Sequence, residues 1–356
     1  MINCQNSTDS ETGRELEIPS IFIRDLSLTL CACYLVLTIL MHPVIAQEQS
    51  RQKPVNQDEP IKLHTTLVQV PVIVSERGGR YVSDLTREDF TIAEDGVKQN
   101  VDYFGSVEEP FSVALLLDSS GSTGAALDQI KSAAMAFISN LRPRDRVMVV
   151  SFNDSVEVLS ELTSDTARLT EAIHSIKPGE FTQVYEAVYT AVWERLHDVQ
   201  GRKAVIVFTD GIDTASSEIS LEDTLDAVVE SEDIIVYPIR YATREDVERK
   251  MEARLRTTSK YDKLEESKRE LDRAYRSADE YLQQLAEMSG GIVERADRLG
   301  DLKSALGRIA EELRHQYLLG YYPTNRQKDD HTRKITVRVS RPGVIVRARP
   351  AYRLTQ

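Results

Sequence analysis

Val113-Ala114-Leu115-Leu116-Leu117-Asp118-Ser119-Ser120-Gly121-Ser122-Thr123 decides the fold of this chain. Its first five residues form an unbroken apolar run, the pattern of a strand covered on both faces. The run ends on one carboxylate and two hydroxyls at alternate positions, with Gly121 easing the bend. Leu127, Ile130, Ala134, Phe137 and Leu141 then recur at helical spacing. A buried strand, a polar turn and a helix make half of a βαβ unit. Such folds place ligands at the carboxyl edge of the sheet.

The same rhythm continues outward. Val147–Val150, Ala204–Phe208 and Ile234–Tyr237 read as further buried strands, with Val156–Leu162 as an edge partner. Leu169–Ile176, Val184–Leu196 and Leu221–Glu230 read as helices between them. Gly290-Gly291 precedes a short strand at Ile292-Val293 and a last helix over Leu302–Leu313. The expectation is an α/β fold over residues 110–316, with a doubly wound, mostly parallel sheet. Residues 243–285 break the rhythm. Dense in Glu, Arg and Lys, they read as one or two long solvated helices, an exposed insertion rather than a binding arm.

Strand patterns flank this core. Val68, Val70, Val72 and Val74 share one face of a strand, in which Pro71 points to an edge position or a bulge. Gly78-Gly79 makes a turn; Phe90 and Ile92 lie in one strand and Val97 in the next, joined by Glu94-Asp95-Gly96. Ile335, Val337 and Val339 alternate, as do Val344, Val346 and Ala348 after the Arg341-Pro342-Gly343 turn. The segments 66–109 and 317–356 are each too short for a robust sandwich. They are expected to pair into one β-sandwich with the α/β domain inserted in it. Tyr317, Tyr321 and Tyr322 enter it as core aromatics rather than as a binding face.

The first 46 residues read as a signal peptide or an uncleaved membrane anchor: Arg24-Asp25, an apolar run Leu26–Ile45, then Ala46-Gln47. Residues 47–65 form a polar linker, and the location implied is secreted, periplasmic or cell-envelope. Cys4, Cys31 and Cys33 all precede Gln47, so the chain beyond has neither a disulfide framework nor a thiolate metal site. With 41% hydrophobic and 28% charged residues the chain is globular rather than disordered. A formal charge of -13 excludes nucleic acid as partner, and membrane contact is expected only through an uncleaved N-terminal segment.

Chemistry concentrates at three points: Asp118, Ser120 and Ser122; Thr182, in a turn after Pro178-Gly179; and Asp210, in Thr209-Asp210-Gly211 at the end of another strand. All are hard oxygen donors, suited to Mg²⁺, Mn²⁺ or Ca²⁺. The alternative is a Ser/Gly turn in which Ser122 caps a helix. Asp213 reads as a loop residue and Asn153-Asp154-Ser155 as a plain turn. Hydrolase chemistry lacks its signatures: none of the six histidines stands in a His-Glu-x-x-His motif, and no Gly-x-Ser-x-Gly elbow surrounds Ser120.

Asp118-x-Ser120-x-Ser122, Thr182 before Tyr185-Glu186-Ala187-Val188, and Thr209-Asp210-Gly211 together resemble the metal-ion-dependent adhesion site of von Willebrand factor type A domains. The resemblance runs over about residues 110–313. Leu85-Thr86-Arg87-Glu88-Asp89-Phe90 and Gln316–Pro323 resemble the flanks of a secreted bacterial, acidobacterial-type group related to that domain. The resemblance implies one divalent cation, Mg²⁺ first, with Mn²⁺ or Ca²⁺ as alternatives. It implies direct contacts from Ser120, Ser122 and Thr182, and water-mediated ones from Asp118 and Asp210. A partner protein's Asp or Glu then completes the shell, which makes the chain an adhesion or scaffolding module and not an enzyme. Alternatives are an accessory subunit of an envelope enzyme complex, or a structural envelope protein without metal. Glu180 departs from the small residue usual in the Thr loop; it fills the open position, competes with an acidic ligand, or points to solvent.

Overall fold

The computed structural model describes residues 67–257, 263–327, 329 and 331–353. The signal or anchor segment, its linker and the three cysteines lie outside the described residues. Among the described residues no helix is long and apolar enough to cross a membrane.

In chain order the first elements are β1 (Val68–Glu76), β2 (Phe90–Glu94), β3 (Val97–Gln99), β4 (Tyr103–Gly105) and β5 (Phe111–Asp118). Then come α1 (Leu127–Ile138), β6 (Arg146–Phe152), β7 (Val156–Thr163), α2 (Thr166–Ser175) and α3 (Val184–Tyr189), which runs on as a π-helical turn over Thr190–Leu196. They are followed by β8 (Arg202–Thr209), α4 (Leu221–Glu230), β9 (Ile234–Tyr241), α5 (Arg244–Thr257) and α6 (Leu264–Ser289). The last are β10 (Glu294–Ala296), α7 (Leu299–Arg314), β11 (Gln316–Tyr321), β12 (Thr332–Val339), β13 (Val344–Ala348) and β14 (Ala351–Arg353).

The central sheet runs β10-β9-β8-β5-β6-β7, parallel except for the antiparallel edge strand β7. β5 is buried at every position, as its unbroken apolar run requires. Val113, Leu115 and Leu117 pack on one side against α1, α2 and α7. Ala114 and Leu116 pack on the other with α3, α4 and the end of α6. The chain leaves β5 for β6 on one side and later returns to β8 on the other. The sheet therefore has a topological switch point at β5, and its carboxyl edge carries Asp118.

The flanking segments pair across this domain. β1 lies between β11 and β13 in a sheet ordered β13-β1-β11-β4, with Val68 opposite Tyr321. β12 joins β2 in a second sheet ordered β14-β12-β2-β3. One core unites both, including Val70, Val72, Phe90, Ile92, Tyr317, Tyr321 and Tyr352. Within it Glu94 accepts from the Tyr321 hydroxyl (2.7 Å), the Tyr352 hydroxyl (2.6 Å) and the buried Arg333 guanidinium (3.3 Å). Tyr317 and Tyr321 are core, whereas Tyr322 is 44% exposed. Pro71 stands in an interior strand and not at an edge. It is tolerated because the β13 ladder starts only at Val72, leaving Pro71 one neighbour, Leu318.

Two other expectations are corrected. Residues 243–285 are only partly a solvated insertion. α5 buries nothing, but Tyr275, Ala278, Tyr281, Leu282 and Leu285 of α6 are buried, and the last three join the core under the sheet. The charged face of α6 is real; its apolar stripe at helical spacing makes the second half a core helix. The strand expected at Ile292-Val293 begins instead at Glu294. Gly290 ends α6 in the left-handed region (φ 81°), and Gly291 passes so close to β9 that a Cβ would lie 1.9 Å from the Val236 carbonyl oxygen.

Candidate metal centre

The loop after β5 is shaped by the carboxylate that begins it. Asp118, fully buried, accepts the Ser120 N–H at 2.9 Å and the Thr123 hydroxyl at 3.2 Å on Oδ1, and the Thr209 hydroxyl at 2.7 Å on Oδ2. Ser119 turns the opposite way: its N–H donates to the Phe152 carbonyl (3.0 Å) and its Oγ lies 3.1 Å from Ser151 Oγ on β6. With alternate residues held on opposite sides, Ser120 Oγ and Ser122 Oγ come within 3.1 Å of each other.

Two expectations about this loop change. Gly121 is not in the left-handed region; a Cβ there would lie 3.2 Å from the Glu180 carbonyl oxygen, so glycine serves close approach of the Thr182 loop rather than the bend. Ser122 caps no helix, because a 3₁₀ turn over Gly124–Ala126 intervenes before α1.

The Thr182 loop is clamped by residues whose sequence reads only as a turn. Asp154 Oδ1 accepts the N–H groups of Glu180 (2.9 Å) and Phe181 (2.6 Å), while Asn153 Nδ2 donates to Ser119 Oγ (3.0 Å) and the Lys177 carbonyl (3.1 Å). The Gly179 N–H donates to the Ser119 carbonyl at 2.9 Å, tying this loop to the first. Thr182 is buried, and its N–H donates to Thr214 Oγ1 at 2.9 Å. Asp213 stays out of the centre. It accepts the Tyr185 N–H (3.2 Å) and the Ser216 N–H (2.9 Å), fixing the start of α3.

Asp210 follows β8 and is also buried. Its Oδ1 accepts the Ile212 N–H (3.1 Å) and its Oδ2 the Thr243 hydroxyl (2.5 Å). Thr243 Oγ1 lies 2.7 Å from the Tyr275 hydroxyl. A threonine hydroxyl has one hydrogen, and a carboxylate cannot donate, so Tyr275 donates to Thr243 and Thr243 to Asp210. The charged insertion thus supplies two side chains that orient a site carboxylate. Gly211 has φ +82°, and a Cβ there would meet Leu282 at 2.9 Å, so the turn after Asp210 packs directly on α6.

Ser122, Thr182 and Asp210 open onto one cleft of about 220 Å³, with Glu180, itself exposed, on its lining. Asp118 and Ser120 lie buried, with Ser120 joined to Ser122 through their hydroxyls. Burial first, and the Asp210 carboxylate second, push the Asp118 carboxyl up to about 7, against the hydrogen bonds from Ser120 and Thr209. Among the described residues no three His, Cys, Asp or Glu side chains form a cluster, so a cation here would depend on hydroxyl oxygens as well as carboxylates. Two adjacent hydroxyls, a threonine and two buried acids suit a hard divalent ion, whose charge would relieve the repulsion between Asp118 and Asp210.

Thr209, Thr123, Thr243, Tyr275, Asn153 and Asp154 all shape the centre although none is a candidate ligand in the sequence; Asn153 and Asp154, which read as a plain turn, instead clamp the Thr182 loop. Thr209 had a signal, its place beside Asp210; Thr243 and Tyr275 had none, since they stand inside charged segments far down the chain.

Over 106 residues the chain is 29% identical to an uncharacterized protein of Synechocystis sp.; the match covers 29% of this chain and 25% of that relative. A von Willebrand factor type A structure from Catenulispora acidiphila is similar over 83% of this chain and 76% of its own, at 9% identity and TM-score 0.44. The vWF domain of the type V pili tip protein Mfa5 from Porphyromonas gingivalis is similar over 57% of this chain and 94% of its own, at 13% identity and TM-score 0.43. The family model described as von Willebrand factor type A domain matches residues 113–212. The chain thus carries a von Willebrand factor type A domain over that span, and the span holds Asp118, Ser120, Ser122, Thr182 and Asp210.

Proposed function

We propose that this centre takes one divalent cation, Mg²⁺ first, and that the protein uses it to hold an Asp or Glu carboxylate of a partner protein outside the cytoplasm. The observation that carries the reading is the convergence of the Ser120 and Ser122 hydroxyls, 3.1 Å apart, beside the buried Asp118 anchor. Ser120, Ser122 and Thr182 would hold the ion directly. Asp118 and Asp210, whose oxygens already accept protein donors, would reach it through water. An ion with few carboxylates in contact keeps its affinity for an incoming one.

Binding rather than turnover fits the site. Ser120 Oγ has a hydroxyl, and not an imidazole, as its hydrogen-bond partner. Glu180 on the cleft lining is a built-in competitor for the open position. Export rests on the apolar run Leu26–Ile45. Calorimetric titration of the full chain with Mg²⁺, Mn²⁺ and Ca²⁺ tests the metal. One site is expected in the wild type and none in Asp118→Ala, with the circular dichroism of the variant unchanged. A wild type that binds none of the three ions refutes the reading.

A further inference from the structure

The cleft above the centre has two unlike sides. Ser122, Thr182 and Asp210 give it a polar floor, while Val247 of α5, Leu271 and Ala274 of α6, and Ile212 supply apolar wall. None of those four apolar side chains is fully buried, so they face the opening rather than the core. They stand out because α5 and the first half of α6 are otherwise dominated by charge.

The wall is also fixed in place. Lys268 of α6 pairs with Glu248 (3.1 Å) and Glu252 (2.7 Å) of α5, and Arg244 pairs with Asp272. The hydroxyl chain from Tyr275 through Thr243 to Asp210 ties wall to floor, and Lys250 Nζ comes within 3.4 Å of the Gly121 carbonyl oxygen. That ammonium adds an exposed positive charge beside the site loop.

We infer that the α5–α6 helix pair makes this site selective for a carboxylate carried on a compact apolar group. The inference rests on the metal part of the reading above and departs from it on the ligand: the floor and its ion take a carboxylate, and the wall, by taking hydrocarbon, favours a free or chain-terminal acid over an Asp or Glu side chain. A pocket with apolar walls and a few convergent polar groups is the usual form of a small-ligand site. The cleft, at about 220 Å³, holds about seven water-sized groups, so with an ion on its floor it takes a carboxylate and covers about half of a branched four-carbon chain, the rest lying at its open mouth. The same chemistry is presented by a free branched-chain acid or by the end of a peptide terminating in leucine.

Titration of the full chain, saturated with Mg²⁺, with acetate, 3-methylbutanoate, Gly-Gly-Leu and N-acetyl-Gly-Asp-Gly-amide tests it. Each fully buried methylene contributes about fourfold, so three half-covered ones should favour 3-methylbutanoate over acetate roughly tenfold. Leu271→Ser, a change on the cleft wall, should cut that ratio to about threefold or less by the same area argument, with Mg²⁺ affinity kept. Tighter binding of Gly-Gly-Leu than of 3-methylbutanoate identifies a peptide end as the source, and the reverse order a small acid; both support selectivity. Equal binding of acetate and 3-methylbutanoate, or an Asp peptide that matches Gly-Gly-Leu, overturns it. Mg²⁺ binding without any carboxylate binding overturns the inference and spares the metal site, whereas absence of Mg²⁺ binding sinks both.

Discussion

Removing the Thr209 hydroxyl should unlock the centre without touching any residue that would contact an ion. Thr209 Oγ1 donates to Asp118 Oδ2 at 2.7 Å and accepts the Gly211 N–H at 2.9 Å, with all three residues buried. Thr209→Val keeps the shape and loses both bonds. A hydrogen bond to a buried charge contributes about 1.5–3 kcal/mol, and an orphaned buried N–H costs a further ~1–2 kcal/mol. The expected destabilisation is therefore about 2.5–5 kcal/mol, measured as a fall in urea midpoint at unchanged m-value. Thr209→Ser keeps the hydroxyl, loses one methyl, and should lie within about 1.5 kcal/mol of wild type. Mg²⁺ affinity should drop about tenfold or more in Thr209→Val, as for loss of an outer-shell partner. A Val variant within 1 kcal/mol of wild type, or one no less stable than the Ser variant, would show that Thr209 does not anchor Asp118.

Three further outcomes are expected. Leu282→Ala should cost about 2–5 kcal/mol in denaturant unfolding, because this side chain of a charge-rich helix is only 1% exposed and packs on Gly211. Arg333→Leu should cost about 3–5 kcal/mol, since it strands the buried Glu94 carboxylate while the tyrosine hydroxyls still point at it. Burial raises the Glu232 carboxyl to about 8, with Asp233 adding to the rise and Arg349 partly offsetting it. Between pH 4.5 and about 8 the native state therefore holds a proton that the unfolded chain has released, so this group's contribution falls as pH rises through that window. Glu232→Gln should be more stable than wild type at pH 9 and equal to it near pH 4 (a range set by that raised value), and unfolding curves that differ equally at both pH values would contradict this.

Much of the architecture is legible because burial on two faces leaves continuous apolar runs, and Val113–Leu117, Ala204–Phe208 and Ile234–Tyr237 are such runs. The pairing of the two flanks is legible for a different reason: each is too short to close a core, and period-two alternation marks the face that needs covering. The α6 helix is misread because composition averages over the whole segment. Tyr275, Ala278, Leu282 and Leu285 keep a strict helical stripe, but Glu, Arg and Asp between them dominate any count. In the centre, Asp118, Ser120, Ser122, Thr182 and Asp210 stand in short motifs at strand ends, where topology brings them to one edge. Their supports do not. Thr243 and Tyr275 reach Asp210 only once α5 and α6 have been laid over the sheet, and nothing local in their sequence records that contact.

The pairing of Val68 with Tyr321 carries a consequence for how the chain folds. β1 can find β11 only across the entire α/β domain, and contacts so far apart in sequence cost the most loop-closure entropy, so delivery of its partner strand is expected late in folding. Arg202 helps that delivery: it donates to the Leu313 and Gln316 carbonyls at 3.0 and 2.9 Å, pinning the α7–β11 junction to β8. Until then β1 and β2 present unpaired edges rich in valine, isoleucine and phenylalanine, and such edges recruit other chains. A defect in the inserted domain should accordingly surface first as aggregation through β1, during refolding, and only later as loss of binding. Whatever stabilises the inserted domain early, a bound ion included, would act as a folding aid for the sandwich it never touches.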